Sequence, residues 1–329
     1  MGSRILAAAF PCSGAVDRER RCNAKRAIID PRRRMRGRPT MCTSHDSRPP
    51  IEPISGAAVD GQSVILEGED GAEFRAYLAL PEGSPGAGIV ILPDVRGLHP
   101  FFEELAMRYA ERGITALAID YFGRTAGTGE RGDDFEHMPH VEQARWPNLA
   151  GEIRTAVAHL RAQEPAPRSV FTTGFCMGGR LASMSATLGL GLAGVIPFYG
   201  WPVGENRNGT PAPADNAAKI ECDVLAFYGE ADAGIDKDVR EAFDRALDKA
   251  GVRHETVVYP GAPHGFFDRK ADQFQEASTD AWDRSLAFIR RHTAGQPIAG
   301  SFKLAEHPQD ASAGAEPADP RTAHWTGDD

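Results

Sequence analysis

The sequence predicts an α/β fold: a mostly parallel central sheet with helices on both faces, opened by an N-terminal antiparallel hairpin. Three observations predict it. Continuous apolar runs such as Ile89-Val90-Ile91-Leu92 have the pattern of strands buried on both faces. Between such runs lie amphipathic stretches, of which those ending at Gly113 and Gly251 carry a helix-stop signal. The two alternate over residues 56–293, the order expected of a parallel sheet with crossover helices. A domain of that length buries roughly 70% or more of its unfolded surface, enough for one full core.

Taken in order, Ser63–Leu66 and the alternating Glu73–Leu80 read as two strands joined at Glu69-Asp70-Gly71. A loop rich in Gly and Pro over 81–88 leads to the strand Ile89–Leu92. A helix over Pro100–Arg112 stops at Gly113, the strand Ile114–Ile119 follows, and a long polar loop runs through Asn148. A helix over Leu149–Arg161, a strand over Ser169–Thr173 and a small-residue helix to Leu188 come next. Ala193–Pro197 is a strand, and 201–219 a loop-rich insertion with Asn208-Gly209 and Pro211-Ala212-Pro213. The strand Asp223–Tyr228, helix Lys237–Ala250, strand His254–Tyr259 and helix Phe274–Arg291 complete the series. Residues 294–329 are rich in Ala, Pro, Gly and Asp without periodicity, the composition of a disordered tail. No internal repeat is visible.

Charge divides the 329 residues unevenly. Of 37 Lys and Arg, eleven fall before residue 39, opposed there only by Asp17, Glu19 and Asp30, although the whole chain is at −9. A basic segment ahead of an acidic body reads as a nucleic-acid contact, as targeting, or as a disordered leader over 1–55; the last is the expectation, with translation from a start upstream of Met41 as one origin. The acidic body argues against a nucleic-acid partner. Ile5–Phe10 is shorter than the roughly 7–15 apolar residues of a secretory signal. Leu6 stands where myristoylation prefers Ser or Thr. An arginine-rich transit peptide stays open. No run of about 18 apolar residues exists, so no membrane span is expected. Five cysteines, three of them in the leader, make no disulfide framework and suit a reducing, cytoplasmic compartment.

In an open parallel sheet, ligands bind beyond the carboxyl ends of the strands. Asp94, Cys176, Asp232 and His264 each follow such an end. Gly174-Phe175-Cys176-Met177-Gly178 has the G-x-nucleophile-x-G form, in which a strained turn leaves room only for hydrogen at the flanking positions; Gly179 widens the small patch. A helix N-terminus facing the sulfur lowers a thiol's pKa, and the Met177 N–H is placed to serve as an oxyanion donor. The alternative for Cys176 is a buried small apolar residue. The order nucleophile, acid, histidine along the chain favours the nucleophile. Asp232 is preferred to Glu230 as the carboxylate that orients His264, which is exposed in a loop of small residues. Cys222, at a strand entrance, reads as structural. His137 and His140 lack a third ligand for zinc, and no phosphate-cradling glycine motif appears, so neither metal nor cofactor is expected.

LPDVRG (92–97), IDYFGR (119–124), GFCMGGR (174–180), FYG (198–200), GEAD (229–232) and APHGFFDR (262–269) together resemble the dienelactone hydrolase family, in order, across about 56–293. The resemblance implies an α/β-hydrolase fold with a Cys176, Asp232, His264 triad. Cys176 would attack an ester or lactone carbonyl, His264 would activate the thiol and then the water, and Val95 and Met177 would hold the oxyanion. It also implies a carboxylate touching the resting thiol, where this chain has Asp94, one methylene shorter than the family's glutamate. The family holds a substrate carboxylate with arginines, one of them shortly after the histidine. Here that position is Asp268, with Arg269 beside it. Arg96, Arg124 and Arg145 are other sources of positive charge. Tyr121, Trp146, Phe175, Tyr199 and Trp201 are candidate pocket aromatics, with ordinary core or lid packing as the alternative. The function so implied is a cofactor-free hydrolase cleaving a small ester or enol-lactone through an acyl-cysteine. A broader carboxylesterase or thioesterase, or a catalytically silent binding module, are the rivals. The expected partner is the small-molecule ester or lactone, with neither nucleic acid nor membrane.

Overall fold

The computed structural model describes residues 48–293 apart from Ala58, Ser84, Asp133 and Arg207. The tail expected over 294–329, and the leader expected over 1–55 as far as residue 47, lie outside the described residues.

Strands β1 (Val59–Glu67), β2 (Glu73–Pro81), β3 (Ala87–Leu92), β4 (Ile114–Ile119), β5 (Ser169–Phe175), β6 (Gly194–Phe198), β7 (Asp223–Gly229) and β8 (His254–Tyr259) form one sheet. Their order is β1-β2-β4-β3-β5-β6-β7-β8. The hairpin β1–β2 and the β2–β4 pairing are antiparallel; every later pairing is parallel. This is the α/β-hydrolase architecture that the resemblance implies. Every residue of β3 and β4 is buried, which is why both read as runs dominated by apolar residues.

The helices are α1 (Pro100–Ala110), α2 (Gly123–Ala126), α3 (Met138–Gln143), α4 (Trp146–Arg161), α5 (Met177–Ser185), α6 (Lys237–Ala250) and α7 (Gln275–His292). Pro100 pre-sets the backbone of the first turn of α1, whose buried stripe includes Phe101, Phe102, Leu105, Ala106 and Tyr109. Asp236 caps α6 by accepting the Val239 N–H at 3.0 Å, and Gly251 closes it with φ +71.

Several boundaries differ from the sequence reading, and three of the differences are instructive. β1 begins four residues early, because Val59–Gln62 are held by the ladder to Leu78–Pro81 rather than by an apolar pattern of their own. The polar stretch before Asn148 contains α2 and α3, and α4 starts at Trp146, with Pro147 in its first turn. The insertion 201–219 ends in a 3₁₀ turn, Ala214–Lys219.

The site depends on where the chain reverses. From β3 it crosses to β4 on one side, and β5 returns to the other side of β3. The crevice at the carboxyl ends of β3 and β5 is the topological switch point. Asp94 and Val95 follow β3 there, and Cys176 follows β5.

Candidate active site

Cys176 sits between strand and helix at φ +56, a conformation that side chains rarely adopt. Its N–H donates to Phe198 O at 3.1 Å, and its carbonyl accepts from the Arg180 N–H at 3.2 Å. The neighbours enforce the glycines. A methyl group on Gly174 would lie 2.0 Å from Gly178 O, one on Gly178 2.0 Å from Leu92 O, and one on Gly179 2.4 Å from Phe198 O. The sharp turn leaves the sulfur partly exposed at the head of α5.

His264 and Asp232 come from two loops that are tied together. The Ala231 N–H donates to Ala262 O at 2.9 Å, and the Gly261 N–H donates to the Glu230 carboxylate at 3.0 Å. Glu230 is thereby engaged with backbone, and Asp232 carries the bond to the imidazole, His264 Nδ1 to Asp232 Oδ2, at 2.6 Å. The other oxygen of Asp232 accepts from the Gly234 and Ile235 N–H groups at 3.0 and 3.3 Å. Burial opposes ionisation of Asp232, but these bonds and the imidazole hold its pKa below the usual carboxylate range. Burial likewise opposes the charged form of His264. Its hydrogen bonds to Asp232 and to Cys176, with their charges, prevail and raise it to about 10. An imidazole fixed on one nitrogen by a carboxylate can accept and return a proton.

The proposed oxyanion donors flank this group. Met177 is the first residue of α5, so its N–H has no acceptor within the helix. Val95 follows β3 across the crevice, and its N–H makes no turn hydrogen bond.

The carboxylate set by resemblance against the resting thiol is committed elsewhere. Asp94 is buried, and Arg96 binds it through Nε at 2.9 Å and Nη2 at 2.7 Å, while the Arg96 N–H donates to it at 2.9 Å. His99 Nε2 stands 3.8 Å away. Burial would raise the Asp94 pKa, yet His99 and Arg96 hold it well below the ordinary range.

Of the other candidates, Tyr199 is buried at φ +38 with its ring 5.0 Å from that of His264. Arg269 is half-exposed, and its charge is felt by Asp268, Asp94 and Cys176. Tyr121 is buried and donates to Pro93 O at 2.9 Å. Trp146 opens α4, its N–H on Asn208 O at 3.1 Å. Arg124 is drawn away by Asp70 at 2.7 Å and Glu152 at 3.2 Å. Arg145 donates to the carbonyls of Glu142 and Ala144, at the end of α3. Phe175 belongs to the core, stacked on Phe198 at 4.7 Å and Phe267 at 5.6 Å. Trp201 stays exposed beside Gly234. His140 stacks on Phe135 at 5.0 Å, and among the described residues no cluster of three or more His, Cys, Asp or Glu could hold a metal. No helix of the described residues is long and apolar enough to cross a membrane.

Sequence reasoning passed over three supports. Asp120, buried at the end of β4, accepts from the Leu98 and Phe122 N–H groups and pairs with Arg131 at 2.7 Å, which fixes the loop after β3. Arg180 is buried and donates to the carbonyls of Trp201, Val203, Gly204 and Thr210, which staples the insertion to α5. His99 packs edge-on against Phe102 at 4.8 Å beside Asp94. Asp120 and Arg180 stand inside quoted motifs, so the signal was present; His99 gave none.

A family model described as the dienelactone hydrolase family matches residues 74–293. A protein of Saccharolobus solfataricus named "Putative carboxymethylenebutenolidase" is 30% identical over 261 residues, covering 69% of this chain and 97% of its own. One of the same name from Salmonella typhimurium is 29% identical over 273 residues, covering 77% and 98%. The crystal structure of a "Putative Dienelactone Hydrolase" from Klebsiella pneumoniae superposes with a TM-score of 0.63 at 27% identity, covering 70% of this chain and 98% of the other.

Proposed function

The chain belongs to the dienelactone hydrolase family, and on that premise we propose that it cleaves a small ester or enol-lactone through an acyl-cysteine intermediate, with Cys176, His264 and Asp232 as its triad. The observation that carries this reading is the 2.6 Å bond between His264 Nδ1 and Asp232, on an imidazole whose charged form is further favoured by Cys176. His264 takes the thiol proton as the sulfur attacks the carbonyl. The Val95 and Met177 N–H groups receive the developing oxyanion. The same proton then goes to the departing alcohol, which leaves Cys176 acylated. Water attacks next, with His264 as base, and releases the acid and the free thiol. No cofactor is required by these steps, and the working partner is the small-molecule ester, in a cytoplasmic setting without nucleic acid or membrane.

A broader carboxylesterase or thioesterase is the second reading, favoured by the acidic Asp268 where the family carries an arginine. p-Nitrophenyl acetate tests the common step. Acid-quenched enzyme should carry one acetyl group on Cys176 by peptide mass spectrometry, and Cys176→Ala should lose at least about 10³-fold in turnover. A variant that kept full turnover would remove Cys176 from the mechanism, and wild type that turned over no ester would leave a silent binding module.

A further inference from the structure

Asp268 is fully buried four residues after His264, and its Oδ2 makes no hydrogen bond. Its Oδ1 accepts the Arg269 N–H, so one buried oxygen is left without a hydrogen bond, which is costly, and it faces charge. Arg96 Nη2 lies 3.9 Å from Oδ2, and Arg269 Nε lies 3.8 Å from Oδ1. Arg96 in turn binds Asp94 at 2.7 Å. Asp94, Arg96, Asp268 and Arg269 thus form an alternating set, two anions and two cations, whose charges reach Tyr199 and, through Arg269, Cys176. Arg124, the other arginine considered for substrate, faces Asp70 and Glu152 instead. A carboxylate on the substrate would enter a site whose cations are already balanced, and would add a third negative charge.

We propose that Asp268 sets the charge selectivity of this site: together with Asp94 it neutralises Arg96 and Arg269, so that the substrate is an ester or lactone without a carboxylate near the scissile bond. This rests on the hydrolase reading above and gives that reading a substrate class.

The probes are mono-p-nitrophenyl adipate and its methyl ester, which share a skeleton and differ in one charge; release of nitrophenolate reads cleavage of the aryl ester alone. Wild type should favour the methyl ester by about tenfold or more in kcat/KM at pH 8, where the free acid is ionised. Asp268→Asn removes one of the two anions that face the guanidiniums and leaves the set with a net positive charge, and the preference should shrink at least about fivefold; Asp268→Glu, which keeps the charge, should retain it. A merely structural role for Asp268 would lower both rates and leave their ratio alone. Wild type that favours the acid overturns the proposal, and this holds even where Asp268→Asn does not fold. A folded Asp268→Asn with an unchanged ratio also overturns it. The hydrolase reading fails separately, if Cys176→Ala cleaves both probes as wild type does.

Discussion

A histidine–aspartate pair stands at each edge of the sheet. His264 and Asp232 are 2.6 Å apart beyond the carboxyl ends of β7 and β8; His292 Nε2 and Asp223 are 2.8 Å apart at the amino end of β7. Each edge also has a cysteine, Cys176 after β5 and Cys222 just before β7. The amino edge even has a cavity of about 420 Å³, lined by residues that include Asp223, Arg253, His254, Glu255 and His292. What differs is the wiring. The second nitrogen of His292 bonds to Phe288 O at 2.8 Å, so both ring nitrogens are engaged with groups other than a thiol. Burial, with Asp223 and Glu221 beside it, pushes the Cys222 thiol up to about 12. At the other edge Cys176 and Asp232 both favour the charged form of His264. Residue types recur by chance at a sheet edge; the strained turn that holds Cys176 at φ +56 does not.

Thiol reactivity should separate the two edges most widely. Iodoacetamide at pH 7.5 should modify Cys176 at least roughly 100-fold faster than Cys222, because alkylation follows thiolate population and access. Peptide mapping against time measures both rates in one sample, and equal rates would erase the distinction between the edges. The next largest effect tests the backbone. Gly178→Ala would place a methyl group 2.0 Å from Leu92 O and 2.3 Å from Pro93 O, both main chain and unable to swing aside. The expected loss is about 3 kcal/mol or more of unfolding free energy in urea. Gly251→Ala, in open space at φ +71, should cost only about 1 kcal/mol from its backbone conformation.

A third test uses the charge on His264. Its pKa is raised in the folded state, so its contribution to stability is complete below about 6.5 and is lost as pH rises through about 10. Asp232, held below its ordinary value, is ionised throughout that window. The gap in urea midpoint between wild type and His264→Gln should therefore narrow from pH 6.5 to pH 10. A gap that widened would mean that the imidazole is buried neutral.

The two edges were not equally legible in the sequence. The strands of the parallel core were, since β3 and β4 are buried throughout and Thr115 is the single polar side chain in them. The elbow was also legible, because close approach of Gly174 and Gly178 to neighbouring main chain excludes every side chain. β1 was legible only in part: Gly61 and Gln62 owe their strand conformation to β2, a partner that periodicity does not see. Charge pairing was hidden in the same way. Nothing local says that Arg96 turns back onto Asp94 two residues earlier and faces Asp268, or that Arg124 reaches Asp70 in the hairpin turn. Such partners are fixed by which loops the fold gathers at one edge, and candidate arginines chosen for their charge lose it to them.

The smallest effect belongs to the pair at the amino edge, and it closes the comparison. His292 and Asp223 are each about one-fifth exposed, at 20% and 19%. Solvent screens such a pair, and removing it costs about 1 kcal/mol or less. Arg253 also pairs with Asp223 at 3.0 Å, so the aspartate is not left alone when the imidazole goes. His292→Ala should therefore lower the melting temperature by about 2–4 °C and leave p-nitrophenyl acetate turnover within about twofold. The matching change at the carboxyl edge, His264→Ala, takes away the imidazole proposed as the base, and its turnover should fall by at least about 10³-fold. Two substitutions of the same chemistry, each breaking a histidine–aspartate bond of nearly equal length, would then differ by orders of magnitude in rate. If His292→Ala lost turnover in proportion to His264→Ala, the cavity at the amino edge would have to be part of the reaction.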